Sequence, residues 1–498
     1  MPRKPLEGIK VADFTWVFVG PQTTKLLADC GAEVIRIESK KRPGIWRTAG
    51  PFRDGVVGLN RGVPFNQFNT SKQSVTLNLS HPRGVEVAKR LVAWADVVVE
   101  NFAGGTMERM GLGYEELKKV KPDIIMVSSC MQGQTGPYAA SPGLGDILSA
   151  LSGFTWIAGW PDREPVDIEW YTDAIAPLFN ATALLAAVDY RRRTGKGQYL
   201  DLAQFEGGVR FMGPLLLDYV VNRRIAGRMG NRSNYAAPHG VYRCRDEYTW
   251  CGISMSTDKE WESFCKVLGN PAWTKEPKFS TPASRKENED ELDNLIEKWT
   301  ISYTPERVTM MFQQAGVVID RLPTGIYQLG KNPRGTYRCQ SEDRWCAISV
   351  FTDEEWESFC KVMGNPAWTK DPKFSTLLGR KENEDELDRL VEEWTINYTA
   401  EDVMTMMQEA GVAAGVVETG EDQLEHDPQT KHRNMFPELE HPTLGKHHAP
   451  ASPFIMSKTP CEIRRSPLLG EHNEYVLKEL LGMSDEEVAG LVIEGALE

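Results

Sequence analysis

The stretch WCGISMSTDKEWESFCKVLGNPAWTKEPKFST (250–281) returns at 345–376 as WCAISVFTDEEWESFCKVMGNPAWTKDPKFST. Six of the 32 aligned positions differ, the offset is 95 residues, and a looser match runs from Pro238/Pro333 to Leu329/Leu424. One module therefore occurs twice in tandem. Two copies fall short of the three or more that a solenoid array needs. The repeat instead predicts a small α+β domain carrying a tandem duplication, with copy 1 over 235–329 and copy 2 over 330–424. The remainder, 1–225 and 425–498, is expected to form one larger domain that the chain leaves and rejoins.

Residues 1 to about 205 alternate strand and helix signals. VADFTWVFV (11–19) and EVIRIE (33–38) read as strands, joined by a Gly20-Pro21 turn and a helix from about Gln22 to Asp29. RGVEVAKRLVAWA (83–95) reads as an amphipathic helix feeding the strand DVVVE (96–100), and PDIIMVSS (122–129) and QYLDLA (198–203) as further strands. DAIAPLFNATALLAAVDYRRR (173–193) is a long helix whose basic end suits the negative pole of the helix dipole. Short apolar strands alternating with helices predict a Rossmann-like α/β domain with a parallel sheet, whose ligands sit at the carboxyl ends of the strands. The first turn lacks G-x-G-x-x-G, so a dinucleotide cradle is not expected.

Hydrophobic content of 41% and charged content of 26% are those of an ordinary globular chain. A net charge of −13 argues against a nucleic-acid partner, so an anionic ligand would need a local basic island. Lys40-Lys41-Arg42 with Arg47, Lys72 and Arg109 are the candidates; each is equally compatible with a solvated surface charge. No apolar run reaches the roughly 18–20 charge-free residues of a membrane span, and MPRKPLEGIK has no leader-like apolar core, so a cytoplasmic protein is expected. Three of the nine cysteines (Cys244, Cys251, Cys265) recur in the second copy, and no C-x-x-C occurs. Reduced thiols, without zinc or a disulfide framework, are expected.

Six segments occur in order: LEGIKVADFTWVFVGPQTTKLLADCGAEVIRIE, FNTSKQSVTLNL, ADVVVENFAGGTMERMGLGYEEL, GQTGPY, RRRTGKGQYLDLAQFE and SPLLGEHNEYVLKELLG. Together they resemble the family III CoA-transferases, the CaiB/BaiF group of formyl-CoA transferase and the carnitine CoA-transferases. The resemblance covers the chain apart from the extra repeat copy. It implies acyl-CoA and a carboxylic acid as substrates, no permanently bound cofactor and no metal. It also implies an interlocked dimer, of identical chains or with a paralogue.

By resemblance the nucleophile is Asp173, in EWYTDAIAPLF. Asp there also fits a helix N-cap, and a helix-start position would hold the carboxylate ionised. Asn101 and Phe102 would line the CoA site, with Arg109 and Lys72 near its phosphates. Phe102 fits core packing equally well, and Arg109 a surface ion pair. Phe18 stands where the formyl-CoA pattern has glutamine, and Ser39 where it has arginine, which leaves the phosphate contact to Lys40 or Lys41. Gly133 and Gly136 are candidates for backbone oxyanion donors, or equally for an ordinary turn. Phe18, Trp46, Trp156, Trp160, Trp170 and Tyr171 suggest a bulky, apolar acid rather than formate or oxalate.

Two other readings remain. α-Methylacyl-CoA racemases share the fold, but their G-H-D histidine corresponds to Gly145, before Asp146, and no histidine lies between His81 and His239. A non-catalytic subunit of a hetero-oligomeric CoA-transferase is the second; the intact Asp173 speaks against it.

Overall fold

Six short segments build one sheet: β1 (Lys10–Asp13), β2 (Glu33–Glu38), β3 (Gln73–Thr76), β4 (Val97–Glu100), β5 (Ile125–Cys130) and β6 (Tyr199–Ala203). The computed structural model describes residues 4–498 except 142, 234–235, 246–249, 256, 315–317, 323–332, 342, 351, 377–378 and 381–382. The chain divides into two compact units, Met1–Arg228 with Asp422–Glu498, and Met229–Glu421.

The six strands all pair in parallel in the order β3-β2-β1-β4-β5-β6. This is the doubly wound order whose direction reverses between β1 and β4, leaving a crevice at the carboxyl ends of those two strands. Strands buried on both faces explain the unbroken valine and isoleucine runs. One face packs Ala12, Ile35 and Val98 against Val87 and Leu91 of the helix Pro82–Trp94, and against Val476, Leu477 and Leu491 from the C-terminal segment. On the other, Val11, Val34 and Val97 meet Leu27 of the helix Val19–Asp29 and Leu184, Ala187 and Val188 of the helix Tyr171–Thr194. Each buried Val, Leu or Ile among them contributes about 1.5–3 kcal/mol.

Two expectations need correction. The strand expected over 11–19 stops at Asp13, whose carboxylate accepts from the Thr15 backbone N–H (2.9 Å) and from the Thr24 hydroxyl (2.7 Å) and so turns the chain. The following helix begins at Val19 rather than Gln22, so Gly20 and Pro21 lie inside its first turn. Proline is tolerated there because that N–H has no helical partner anyway. Glycine is required because a Cβ at position 20 would overlap Thr15 and lie 3.0 Å from Asn101 Cγ.

The helix Tyr171–Thr194 ends on Gly195 in the left-handed region (φ 71°), with Arg191, Arg192 and Arg193 in its last turn. It is long and apolar enough to cross a membrane, but its inward residues Ile175, Ala176, Leu184 and Ala187 are buried in the sheet unit.

In the second unit, β7 (His239–Arg243), β8 (Trp250–Ser254) and β9 (Val318–Leu322) form one antiparallel sheet. Residues 95 positions on, β10 (Arg334–Arg338), β11 (Trp345–Ser349) and β12 (Ala413–Val416), form another. Each sheet has its own closed core. Buried arginines recur with the same partners: Arg285 donates to Asp258 (3.0 Å) over the Trp261 ring, and Arg380 to Asp353 (2.9 Å) over Trp356. Parts of the junction between the copies, including residues 327–332, lie outside the described residues. All nine cysteines are free thiols.

Candidate active site

A cavity of about 340 Å³ opens at the carboxyl ends of β1 and β4, at the reversal of strand order. Val17, Phe18 and Val19 after β1, Ile45 and Trp46 after β2, Asn101 to Ala103 after β4, and Cys130 and Met131 at the end of β5 form one side. Leu144, Gly145, Trp170, Asp173 and Gln204 stand on another side, with Ala139 and Gly143 completing the lining. The Phe18 ring stands edge-on to Phe68 at 4.7 Å, with Trp46 packed on the same ring at 6.1 Å, so both lining aromatics are braced against one ring.

Asp173 enters from the first turn of the helix Tyr171–Thr194. That helix is fixed by Asn180, two turns on, whose buried amide donates to Ser129 of β5 (2.9 Å) and to Thr23 of the helix Val19–Asp29 (3.2 Å). Pro177 stands four residues after Asp173 and removes the N–H that would bond its carbonyl. Burial first, then the carboxylate of Asp146, push the Asp173 pKa up to about 6. This corrects two expectations. Trp170, not Asp173, is the N-cap, and the environment raises the carboxyl's pKa rather than holding it ionised. Asp146 itself has a buried, unpartnered Oδ1. The result is a desolvated carboxylate, still ionised at neutral pH, against apolar walls.

The model of "CoA-transferase family III" matches residues 6–325 and 319–473, nearly the whole chain. The chain belongs to this family. It is 35% identical over 324 residues to a succinyl-CoA–D-citramalate CoA-transferase of Chloroflexus aurantiacus, covering 65% of this chain and 79% of that one. It is 27% identical over 500 residues to a human succinyl-CoA:glutarate CoA-transferase, covering 99% and 90%. The crystal structure of a CaiB/BaiF family protein from Brucella suis is 25% identical, with a TM-score of 0.55 over 96% of this chain and 99% of that one. The chain is therefore an enzyme, a CoA-transferase, for which acyl-CoA is a substrate.

In this transferase the cavity gathers Phe18, Trp46, Asn101, Phe102, Trp170 and Asp173, all singled out from sequence. Other candidates stand elsewhere. Lys72 is a buried structural cation: its Nζ donates to Asp13 Oδ2 (3.1 Å), Pro21 O (3.0 Å) and Asn69 Oδ1 (2.8 Å), which leaves nothing for a phosphate. Arg47 is buried as well, bidentate to Glu38 at 2.8 and 2.6 Å. The acid that would hold a ribose in a dinucleotide enzyme is thereby occupied by an internal ion pair. Lys40 and Arg109 are exposed; Arg109 donates to Thr106 Oγ1 (2.8 Å).

Gly133 and Gly136 do not line the cavity. Gln134 between them donates its N–H to Asp201 (3.0 Å) and its amide to Glu100 (3.2 Å), which ties the loop down. Their φ values of 87° and 95° are what this turn requires of glycine. Trp156 and Tyr171 are also elsewhere: Trp156 donates to Ala226 O (2.7 Å), and Tyr171 packs on Phe154 at 4.9 Å. Gln204 was not singled out; its buried Oε1 lacks a partner and its side chain borders the cavity. No sequence signal marks it beyond its place just after β6.

Proposed function

We propose that this CoA-transferase works through Asp173 as a covalent nucleophile. An Asp173 carboxylate oxygen attacks the donor thioester carbonyl, and the C–S bond breaks to give a mixed anhydride and CoA thiolate. The thiolate attacks the aspartyl carbonyl, giving an aspartyl-CoA thioester and releasing the donor carboxylate. An acceptor carboxylate then attacks that thioester, and the returning thiolate cleaves the second anhydride to release the new acyl-CoA and regenerate Asp173. The supporting observation is a half-buried carboxylate at the strand-reversal crevice, which neither cation nor hydrogen-bond donor among the described residues pulls below its usual pKa. Poor solvation makes such an oxygen the more nucleophilic. Phe18 and Val19, at the start of the helix Val19–Asp29, line the cavity, and their backbone N–H groups, without partners inside the helix, would supply the oxyanion donors.

The acid is proposed to be bulky and apolar, with a single carboxylate. Among the described lining residues Asp173 is the only charged one, so no cation awaits a second carboxylate. A racemase is not favoured, since among the described residues no histidine borders the cavity to serve as a second base. We also propose a dimer, supported by the helix Gly213–Asn222, which buries none of its residues within one chain. Leu217, Val220 and Val221 there are 65%, 61% and 76% exposed. The 95-residue repetition is taken as a duplicated module enlarging the second unit.

Acyl exchange measured on the purified protein, with aromatic, alicyclic and short dicarboxylic CoA thioesters in parallel, tests the substrate reading. Preference for succinyl- or oxalyl-CoA would overturn it. A monomer in sedimentation at nanomolar concentration would overturn the dimer.

A further inference from the structure

Asn101 lines the cavity, yet both ends of its side-chain amide pair with backbone. Its Oδ1 accepts the Trp16 backbone N–H at 2.6 Å, and its Nδ2 donates to the Trp16 carbonyl at 2.8 Å. Both polar functions of the amide are thus engaged by one backbone residue of the loop after β1. The next residue, Val17, has a φ of 57°, in the left-handed region. A β-branched side chain there is a genuine outlier, held only when its surroundings impose it. Val17 and Phe18 in turn form part of the cavity wall that Asp173 shares. Neighbouring contacts seat the clamp. The Phe102 ring stands edge-on to Trp16 at 5.9 Å, and Phe102's own N–H donates to Glu100 Oε2 at 2.7 Å.

We infer that Asn101 is a positioning residue for the transfer reaction: it clamps Trp16 so that strained Val17 and Phe18 hold the wall, and the backbone N–H groups behind it, opposite Asp173. This rests on the CoA-transferase reading of the Asp173 cavity. It differs from a direct CoA contact in what should rescue its loss. Without the amide, Val17 has every reason to relax to negative φ, whereas glycine occupies the left-handed region without strain. Val17→Gly should therefore compensate for a missing clamp and should do nothing for a missing CoA ligand.

The test uses the full chain, in wild-type, Asn101→Ala and Asn101→Ala/Val17→Gly forms. Three quantities are read: the Kd of free CoA by calorimetry, kcat and KM for the best thioester of the exchange screen, and the crystallographic φ at position 17. For Asn101→Ala we expect residue 17 to leave positive φ and kcat to fall roughly 10- to 100-fold, with the CoA Kd within about threefold of wild type. The double variant should return position 17 to positive φ and regain at least about tenfold in kcat. Retention of Val17 near its wild-type φ in Asn101→Ala would overturn the inference. So would a loss confined to KM and CoA Kd that Val17→Gly fails to rescue, which would make Asn101 a CoA ligand. A wild-type protein inactive on every thioester would count against the proposed function, while the φ readout would still decide the clamp.

Discussion

No side chain fits at position 145 while Asp173 keeps its place. A Cβ on Gly145 would overlap the Asp173 carboxylate oxygen and stand 3.2 Å from the Trp170 Cα. Gly145 opens the helix Gly145–Leu151, a position where alanine would be favourable for helix formation alone. Its absence of a side chain is a requirement of the carboxylate.

Gly145→Ala is therefore expected to displace the Asp173 carboxylate while leaving the fold intact, because the overlap is with the end of a side chain and the Trp170 backbone need give only by a few tenths of an ångström. A displacement of about 1 Å at a reacting group costs on the order of a hundredfold. Steady-state kinetics should show kcat/KM lowered by about that factor with the thermal midpoint nearly unchanged. Wild-type activity in this variant would mean that Asp173 does not need its present position.

Asp146 supplies a second, separable effect. Asp173 must be ionised to attack, and its pKa of about 6 places the acid limb of the activity profile near that pH. Asp146→Asn removes the like charge and leaves the larger cause, burial, in place. The acid limb should move to lower pH without reaching the ordinary aspartate range. Stability follows the sign of the same shift. A carboxyl with a raised folded pKa stabilises fully below its unfolded value, and the benefit is lost as pH rises through about 6. Asp173→Asn should therefore raise the melting temperature relative to wild type at pH 8, and the difference should vanish near pH 4. An acid limb unmoved by Asp146→Asn would show that Asp146 does not act on Asp173.

Much of this was legible in the chain. Period and β-branched runs located five of the six strands of the large sheet, because central parallel strands buried on both faces read as unbroken apolar segments. β3 went unread because QSVT is polar: Ser74 there donates to Glu38 (2.7 Å) inside a buried charge network. The same network misled the reading of the basic residues. Lys72 and Arg47 look like anion binders in a list of charges, and only the fold shows Asp13 and Glu38 beside them. Asp173 was found through family motifs, since its local sequence equally suits a helix start. The Gly145–Asp173 and Asn101–Trp16 relationships join residues 28 and 85 positions apart, beyond any local pattern.

The repeated module yields a prediction independent of chemistry. β7, β8 and β9 close within one copy, and β10, β11 and β12 within the other, each around its own core. Deleting residues 235–329 removes one complete copy and leaves the other's sheet whole. The shortened chain is expected to be soluble, to dimerise and to retain transfer, with substrate preference free to change. Insolubility, or loss of the covalent Asp173 intermediate, would show that the deleted copy is integral to the fold or the site.

The covalent role of Asp173 is tested most directly by trapping. Wild-type enzyme incubated with its best acyl-CoA donor and then with hydroxylamine should carry a hydroxamate on the peptide containing Asp173, read by mass spectrometry. Enzyme given hydroxylamine alone should not, and Asp173→Ala should lose both adduct and transfer while still binding CoA. Turnover near wild type in Asp173→Ala, or a donor-dependent hydroxamate on another residue, would contradict the account.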